Sequence, residues 1–259
     1  MHSTPWIVRQ SAKHPRLRLY CFCYAGGNAT SFMGWQAKFD PSIEICAIQL
    51  PGRGSRFHEA PYRVLPDLIA VLSDVLRRES IVPFAFFGHS LGGLLAFELA
   101  RYNMNHGLDM PQHLFISGCG APKYRRPSAG LHQLDDDTFL DTLRGYNGTP
   151  PEILDNRELM MVVMPTIRSD FALAEGYEYR RGPLLKVPIT VLAGKLDEFD
   201  SPKEVSGWQE ETLNRFRVQW FDGDHFFIVS NQHEVLTCIS SELNSLLVCQ
   251  RYSRLSSSA

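Results

Sequence analysis

The stretch Phe84-Ala85-Phe86-Phe87-Gly88-His89-Ser90-Leu91-Gly92-Gly93-Leu94-Leu95-Ala96-Phe97 reads as a buried strand, a glycine-flanked serine and the first turns of an apolar helix. Four consecutive apolar residues suit a strand covered on both faces, and residues 91–102 are apolar almost all round, as a helix packed on a central strand should be. A serine in G-x-S-x-G spacing needs small neighbours, because the sharp turn brings other backbone close and lifts the hydroxyl above the sheet at a helix N-terminus. Alone, that spacing occurs by chance and could be a plain glycine-rich turn. The strand before it and the helix after it make Ser90 a candidate nucleophile.

Outward from this turn the same alternation recurs. Strands are expected at 17–23, 44–50, 113–117, 189–193 and 217–221, and a helix at 65–78, where Leu65, Leu68, Ile69, Leu72 and Leu76 fall at helical spacing. Ser201-Pro202-Lys203-Glu204 carries an N-cap serine, a proline at the first helical position and a glutamate completing a capping box. The last helix is expected from about residue 231. The fold class predicted is α/β, a mostly parallel central sheet with helices on both faces. Between about residues 121 and 181 no strand pattern appears. Helical patterns at 134–143 and 157–177 predict a helical lid insertion within a single domain spanning 1–259, with Pro165 expected to start or kink a helix rather than lie inside one. The Ser-rich end after Tyr252 should fray.

The composition bounds the function class. The chain has 259 residues, 44% hydrophobic and 21% charged, enough for a sizeable core. With 26 basic and 28 acidic residues the net charge is −2, which lacks the footprint of a nucleic-acid or membrane-surface binder. No signal-peptide core opens the chain and no run approaches the roughly 20 apolar residues of a membrane span, so a cytoplasmic location is expected. The 6 cysteines are scattered without paired C-x-x-C spacing. Cys21 and Cys23 would share one strand face, but two thiols without a second pair do not make a metal site, and buried apolar thiols in a reducing compartment are the expectation.

A serine hydroxyl needs a base within hydrogen-bond reach and a group to orient that base. Gly223-Asp224-His225 follows the strand expected at 217–221, where a loop returns to the top of the sheet, and singles out His225 among 9 histidines. His89, beside the serine, should point away from the open side and take a structural role. For the acid, the strand at 189–193 runs into Gly194-Lys195-Leu196-Asp197, which puts Asp197 just past a strand end on the serine's side. Asp200 is the alternative, although it directly precedes the Ser201 cap, and Asp224 is poorly placed to reach the far ring nitrogen of its neighbour. The order Ser90, Asp197, His225 is that of α/β-hydrolases. Two backbone amides should meet the developing oxyanion, that of Leu91 and one from the glycine-rich loop Cys23-Tyr24-Ala25-Gly26-Gly27. Ala25 is assigned, with a shift of one residue left open.

With these residues in hand the chain resembles the type II thioesterases that accompany non-ribosomal peptide and polyketide synthases. The resemblance covers nearly the whole sequence. Besides the serine turn, the aspartate loop and Gly223-Asp224-His225-Phe226-Phe227, it rests on residues 21–27, on Gln49-Leu50-Pro51-Gly52-Arg53-Gly54-Ser55-Arg56 and on Met164-Pro165-Thr166-Ile167-Arg168-Ser169-Asp170-Phe171. Cys23 stands where the family usually has proline, and Ser169 where alanine is common. The resemblance implies hydrolysis of acyl groups from the phosphopantetheine arm of an acyl or peptidyl carrier protein, clearing misprimed or stalled units through a Ser-His-Asp acyl-enzyme. It also implies a lid over the acyl pocket, lined by Met160, Met161, Met164, Ile167 and Phe171, with docking of the helix the equal alternative for each residue of that apolar stripe. Arg53, Arg56, Lys123, Arg125 and Arg126 are then possible contacts for an acidic carrier or its phosphate, with loop bracing the plainer reading for the first two and solvated charges for the rest. No cofactor or metal is required, and the expected state is a monomer without nucleic-acid or membrane partners. The rival readings are a stand-alone acyl-CoA thioesterase or small-ester esterase and a non-catalytic carrier-binding module.

Overall fold

The structure, a computed structural model, describes residues 4–10, 12, 14–79, 81–125, 129–146, 148 and 151–256. Its sheet has seven strands, β1 (Ile7–Gln10), β2 (Leu17–Phe22), β3 (Ile43–Ile48), β4 (Phe84–His89), β5 (Leu114–Ser117), β6 (Ile189–Gly194) and β7 (Phe216–Phe221), in the order β1-β3-β2-β4-β5-β6-β7. All pairings are parallel except that of β1 with β3. The six strands expected from the sequence are present. β1 is the addition: its four residues pair Ile7 with Ile48 and Gln10 with Ile45, and only Ile7 is buried, so the segment carries too short an apolar signal to stand out.

The central strands are covered on both faces. Phe86 meets Tyr20 and Phe22 on one side, with ring centroids 6.2 and 5.4 Å away, while Phe87 meets Phe32 and Trp35 on the other, at 6.0 and 5.1 Å. Each buried phenylalanine contributes on the order of 1.5–3 kcal/mol of apolar transfer. The Phe86 face is roofed by α1 (Leu65–Glu79) and α2 (Leu91–Asn105). Opposite, the Phe87 face packs against the long C-terminal helix, whose Val235, Ile239 and Leu243 are fully buried.

Between β5 and β6 the described residues add no strand to the sheet, only an isolated bridge between Leu185 and Thr212. They form α3 (Asp136–Tyr146), α4 (Pro151–Leu154) and α5 (Arg157–Glu175), which enclose a small core of their own around Phe139, Leu143, Leu154 and Met160. Asn156 caps α5 by accepting from Leu159 N–H at 3.1 Å. The expectation for Pro165 needs correcting. It starts nothing: α5 begins eight residues earlier and runs through it. The bond its missing N–H would make is to the carbonyl of Met161, on the exposed side of the helix, where water can substitute. The expected capping box at Ser201 opens α6 (Pro202–Ser206) with both reciprocal bonds, and after β7 come α7 (Phe227–Ser230) and α8 (Gln232–Ser256). No described helix is long and apolar enough to cross a membrane.

Candidate active site

Ser90 sits at the junction of β4 and α2 with φ 55° and ψ −117°, the sole non-glycine residue with positive φ among the described residues. Such a conformation costs of order 1–3 kcal/mol and persists where its surroundings enforce it. Here they do. Ser90 N–H donates to the Ser117 carbonyl at 2.8 Å, tying the turn to β5. A Cβ on Gly88 would lie 2.0 Å from the Gly92 carbonyl oxygen, and one on Gly92 would lie 2.1 Å from that of Phe22. Both flanking glycines are therefore required by backbone packing.

The loops after β6 and β7 bring Asp197 and His225 together. They approach so closely that a Cβ on Gly194 would stand 2.5 Å from the Asp224 carbonyl oxygen. His225 Nδ1 lies 2.8 Å from Asp197 Oδ2, and both side chains are nearly excluded from solvent, at 7% and 2% exposure. The other carboxylate oxygen of Asp197 accepts from Phe199 N–H at 2.9 Å, fixing the carboxylate plane. With Nδ1 donating to a carboxylate, the imidazole keeps Nε2 as its acceptor.

The alternative acids are otherwise engaged. Asp200 Oδ1 accepts from Gly120 N–H at 2.8 Å, and burial, reinforced by the Asp197 charge, pushes its carboxyl up to about 6. Asp224 accepts from Phe226 N–H within its own turn. Asp197, Asp200 and His225 offer donor atoms within 4.8 Å of one another, the grouping of three such side chains found among the described residues, but two of the three already bond each other. His89 is fully buried beneath His225, with ring centroids 5.1 Å apart and Nδ1 3.0 Å from Ser117 Oγ; burial holds its imidazole well below the usual range, hence neutral.

Tyr24 to Gly27 form a tight turn closed by Gly27 N–H donating to the Tyr24 carbonyl at 2.9 Å. Gly26 has φ +77°, as the third position of a type II turn demands. In a trans peptide, N–H and C=O point opposite ways. The Tyr24 carbonyl faces into the turn, so the amide of Ala25 in the same peptide faces out. Among Ala25, Gly26 and Gly27, only the Ala25 amide has no acceptor among the described residues; Gly26 N–H donates to Asp170 Oδ2 at 2.7 Å.

Ser90, Leu91, Ala25 and His225 line one cavity of about 870 Å³, roofed by Leu143, Tyr146, Ile167 and Phe171 of the helical segment. Tyr146 stacks on Phe199 at 4.3 Å, and Phe199 stands edge-on to His225 at 5.2 Å. The methionines expected to line the cavity do not. Met160 and Met164 are buried in the small core between α3, α4 and α5, and Met161 is 63% exposed on the opposite face. The helical face is read correctly from the sequence, but only its C-terminal end, Ile167 and Phe171, reaches the cavity.

Of the basic candidates, Arg53 and Arg56 are buried loop braces and not available to a partner. Arg53 makes a bidentate pair with Asp170, both contacts 2.7 Å, and Arg56 pairs with Glu59 and lies 3.7 Å above the Trp6 ring. Lys123 pairs with Glu210, and Arg125 donates to the Ala174 carbonyl at 3.3 Å; both line the cavity. Arg126 lies outside the described residues. At the two positions that differ from the common pattern, Cys23 Sγ contacts the Asn28 carbonyl at 2.8 Å, and Ser169 Oγ bonds back to the Pro165 carbonyl at 2.8 Å. Asp170 carries the role that sequence reasoning missed.

The thioesterase domain family matches residues 17–243. The chain is 36% identical over 243 residues to the gramicidin S biosynthesis protein GrsT of Aneurinibacillus migulanus, across 93% of this chain and 95% of that protein. It is 39% identical over 256 residues to LgrE of Brevibacillus parabrevis, named a linear gramicidin dehydrogenase, across 96% and 97%. Among solved structures, the type II thioesterase BorB from the borrelidin biosynthetic cluster matches with a TM-score of 0.84 at 34% identity, covering 94% of this chain and 98% of its own.

Proposed function

The chain belongs to the thioesterase domain family, and from that premise we propose that it hydrolyses acyl groups from the phosphopantetheine arm of carrier proteins, clearing misprimed or stalled units from a peptide or polyketide synthase. Near full-length likeness to GrsT and BorB supports that setting. Ser90 attacks the thioester carbonyl while His225 Nε2 takes its proton. The amides of Leu91 and Ala25 receive the oxyanion, the carbon–sulfur bond breaks as His225 returns its proton to the sulfur, and pantetheine thiol leaves an acyl-enzyme behind. Water deprotonated by His225 then releases the free acid and regenerates Ser90. Asp197 keeps the imidazole in the reactive tautomer and stabilises its cation. The helical segment 121–181 acts as the lid, with Ile167 and Phe171 against the acyl chain.

The observation that carries this reading is the convergence of a strained serine, a carboxylate-held histidine and an outward-facing turn amide on one roofed cavity. One relative, LgrE, carries a dehydrogenase name. The strand-to-helix turn here is G-x-S-x-G, and a dinucleotide pyrophosphate is cradled by the differently spaced G-x-G-x-x-G.

The test is a comparison of rates on acylated carrier protein, acyl-CoA and a simple aryl ester, with mass spectrometry of the carrier before and after. Preference for the carrier is expected, together with loss of acyl release in Ser90→Ala. Preference for the aryl ester overturns the substrate class, and undiminished release by S90A overturns the mechanism.

A further inference from the structure

Outside the Ser-His-Asp set, Asp170 on α5 is a buried carboxylate that accepts three hydrogen bonds. One of its oxygens accepts from Gly26 N–H at 2.7 Å and from Arg53 Nη1 at 2.7 Å, and the other accepts from Arg53 Nη2 at 2.7 Å. Arg53 in turn donates through Nη1 to the Gly27 carbonyl at 3.0 Å. The pair is almost completely dehydrated, with 7% of the Arg53 side chain and 1% of the Asp170 side chain exposed. A buried ion pair of this kind is seldom a net gain in stability over apolar residues of the same size, so its presence calls for another reason.

The reason is in what it grips. Gly26 N–H and Gly27 C=O belong to the turn whose Ala25 lines the cavity and whose Ala25 amide faces outward. The Ala25 N–H belongs to the Tyr24–Ala25 peptide, one Cα before the peptide whose Gly26 N–H the carboxylate holds, so the carboxylate on Gly26 and the guanidinium on Gly27 fix the backbone that carries it. The neighbouring contacts agree: Thr166 Oγ1 donates to the Gly52 carbonyl at 2.8 Å, and Ile167 packs so near Gly26 that a Cβ there would lie 3.1 Å from its Cγ1. One turn of the lid helix is thereby fastened to the loop after β2 and to the loop after β3.

We infer that Asp170, braced by Arg53, is a positioning residue for the oxyanion site: it acts from the lid helix through the Gly26 amide to hold the Ala25 amide where the developing oxyanion forms. The inference rests on the serine mechanism proposed above. An oxyanion donor counts only when aimed in advance, and deleting one outright costs about 10²–10³ in kcat, so loosening one should cost part of that.

The test is the double variant R53M/D170L, which replaces the pair by apolar side chains of similar reach and leaves no buried charge behind. It should fold, with a far-UV CD spectrum like the parent's, while kcat on an acylated carrier falls about 10- to 100-fold and KM stays within about threefold. The inhibition constant of an alkylboronic acid, whose tetrahedral serine adduct puts an oxygen in the oxyanion site, should rise by a similar factor. R53Q/D170N, which keeps polar side chains of similar shape without either charge, should show the same two changes in smaller measure and serves if the apolar double variant fails to fold. A folded variant with parental kcat, or a fall in kcat with unchanged boronate affinity, overturns the inference. Inactive S90A beside a fully active double variant overturns the positioning role alone, whereas active S90A overturns the serine mechanism and this inference with it.

Discussion

Asp197 Oδ2 holds His225 Nδ1 at 2.8 Å, while Asp200, three residues on, spends its Oδ1 on the amide of Gly120. Two carboxylates lie within 4.8 Å of the same imidazole, and only one is bonded to it.

The two should separate cleanly on mutation. Asp197→Asn leaves an amide that cannot enforce the Nδ1–H tautomer, so kcat should fall about 10⁴-fold with little change in KM. Asp200→Asn should stay within about tenfold of the parent. Steady-state kinetics of both variants decide the matter, and reversed magnitudes would make Asp200 the orienting acid.

Asp200 also makes stability depend on pH. Burial and the Asp197 charge raise its carboxyl to about 6 in the folded protein, against an ordinary value of 3.8 in the unfolded chain. Between those values the folded state holds a proton that the unfolded state has released, so its contribution to stability falls as pH rises from about 4 to about 6 and stays low above that. Asn keeps the acceptor for Gly120 without the charge. D200N should be more stable than the parent by about 1–3 kcal/mol at pH 7.5 and equal to it at pH 4, measured by urea unfolding. A constant difference at both pH values would contradict this.

Glycine is needed at the serine turn for space. Gly88→Ala and Gly92→Ala drive a methyl to 2.0 and 2.1 Å from backbone oxygens, and each should cost more than about 4 kcal/mol or abolish soluble expression. Gly107, at φ +64° with nothing within 4 Å of a built Cβ, is the control, and its alanine variant should cost about 1–2 kcal/mol. Chemical denaturation of the three variants supplies the comparison.

Phe171 and Met164 should divide specificity from stability. Phe171 lines the cavity, so F171A should move the best acyl chain to greater length. Met164 lies in the core between α3, α4 and α5, so M164A should cost about 2–4 kcal/mol with the chain-length optimum unmoved. Rates across acyl-carrier substrates of increasing length provide the readout, and an equal shift in the two variants would show that lid packing itself sets the limit.

Much of this was legible in the residues. The apolar runs at β2 to β7 and the glycines around Ser90 are local signals, and Asp197 and His225 follow from strand ends. β1 escaped because one buried residue in four makes no pattern, and Pro165 misled because propensity disfavours proline inside a helix while the packing of Met160, Met164, Ile167 and Phe171 favours continuing it. The work of Asp170 could not be seen at all: its partners Arg53 and Gly26 stand 117 and 144 residues away, and no spacing rule links a helix carboxylate to a turn across such distances.

The bond from Asp170 to Gly26 also divides the cavity walls by stiffness. A substrate chain pressing toward Ile167 meets a wall joined to the loops after β2 and β3 by a dehydrated ion pair, and displacing it would leave two buried charges unpaired. A chain pressing toward Leu143 and Tyr146 meets α3, which is joined to α5 by the apolar contact of Phe139 with Phe171 and by an Arg168–Asp136 pair whose aspartate is exposed. The two walls therefore differ in what holds them, a dehydrated ion pair beside the Ala25 turn and packing with a solvated pair at α3.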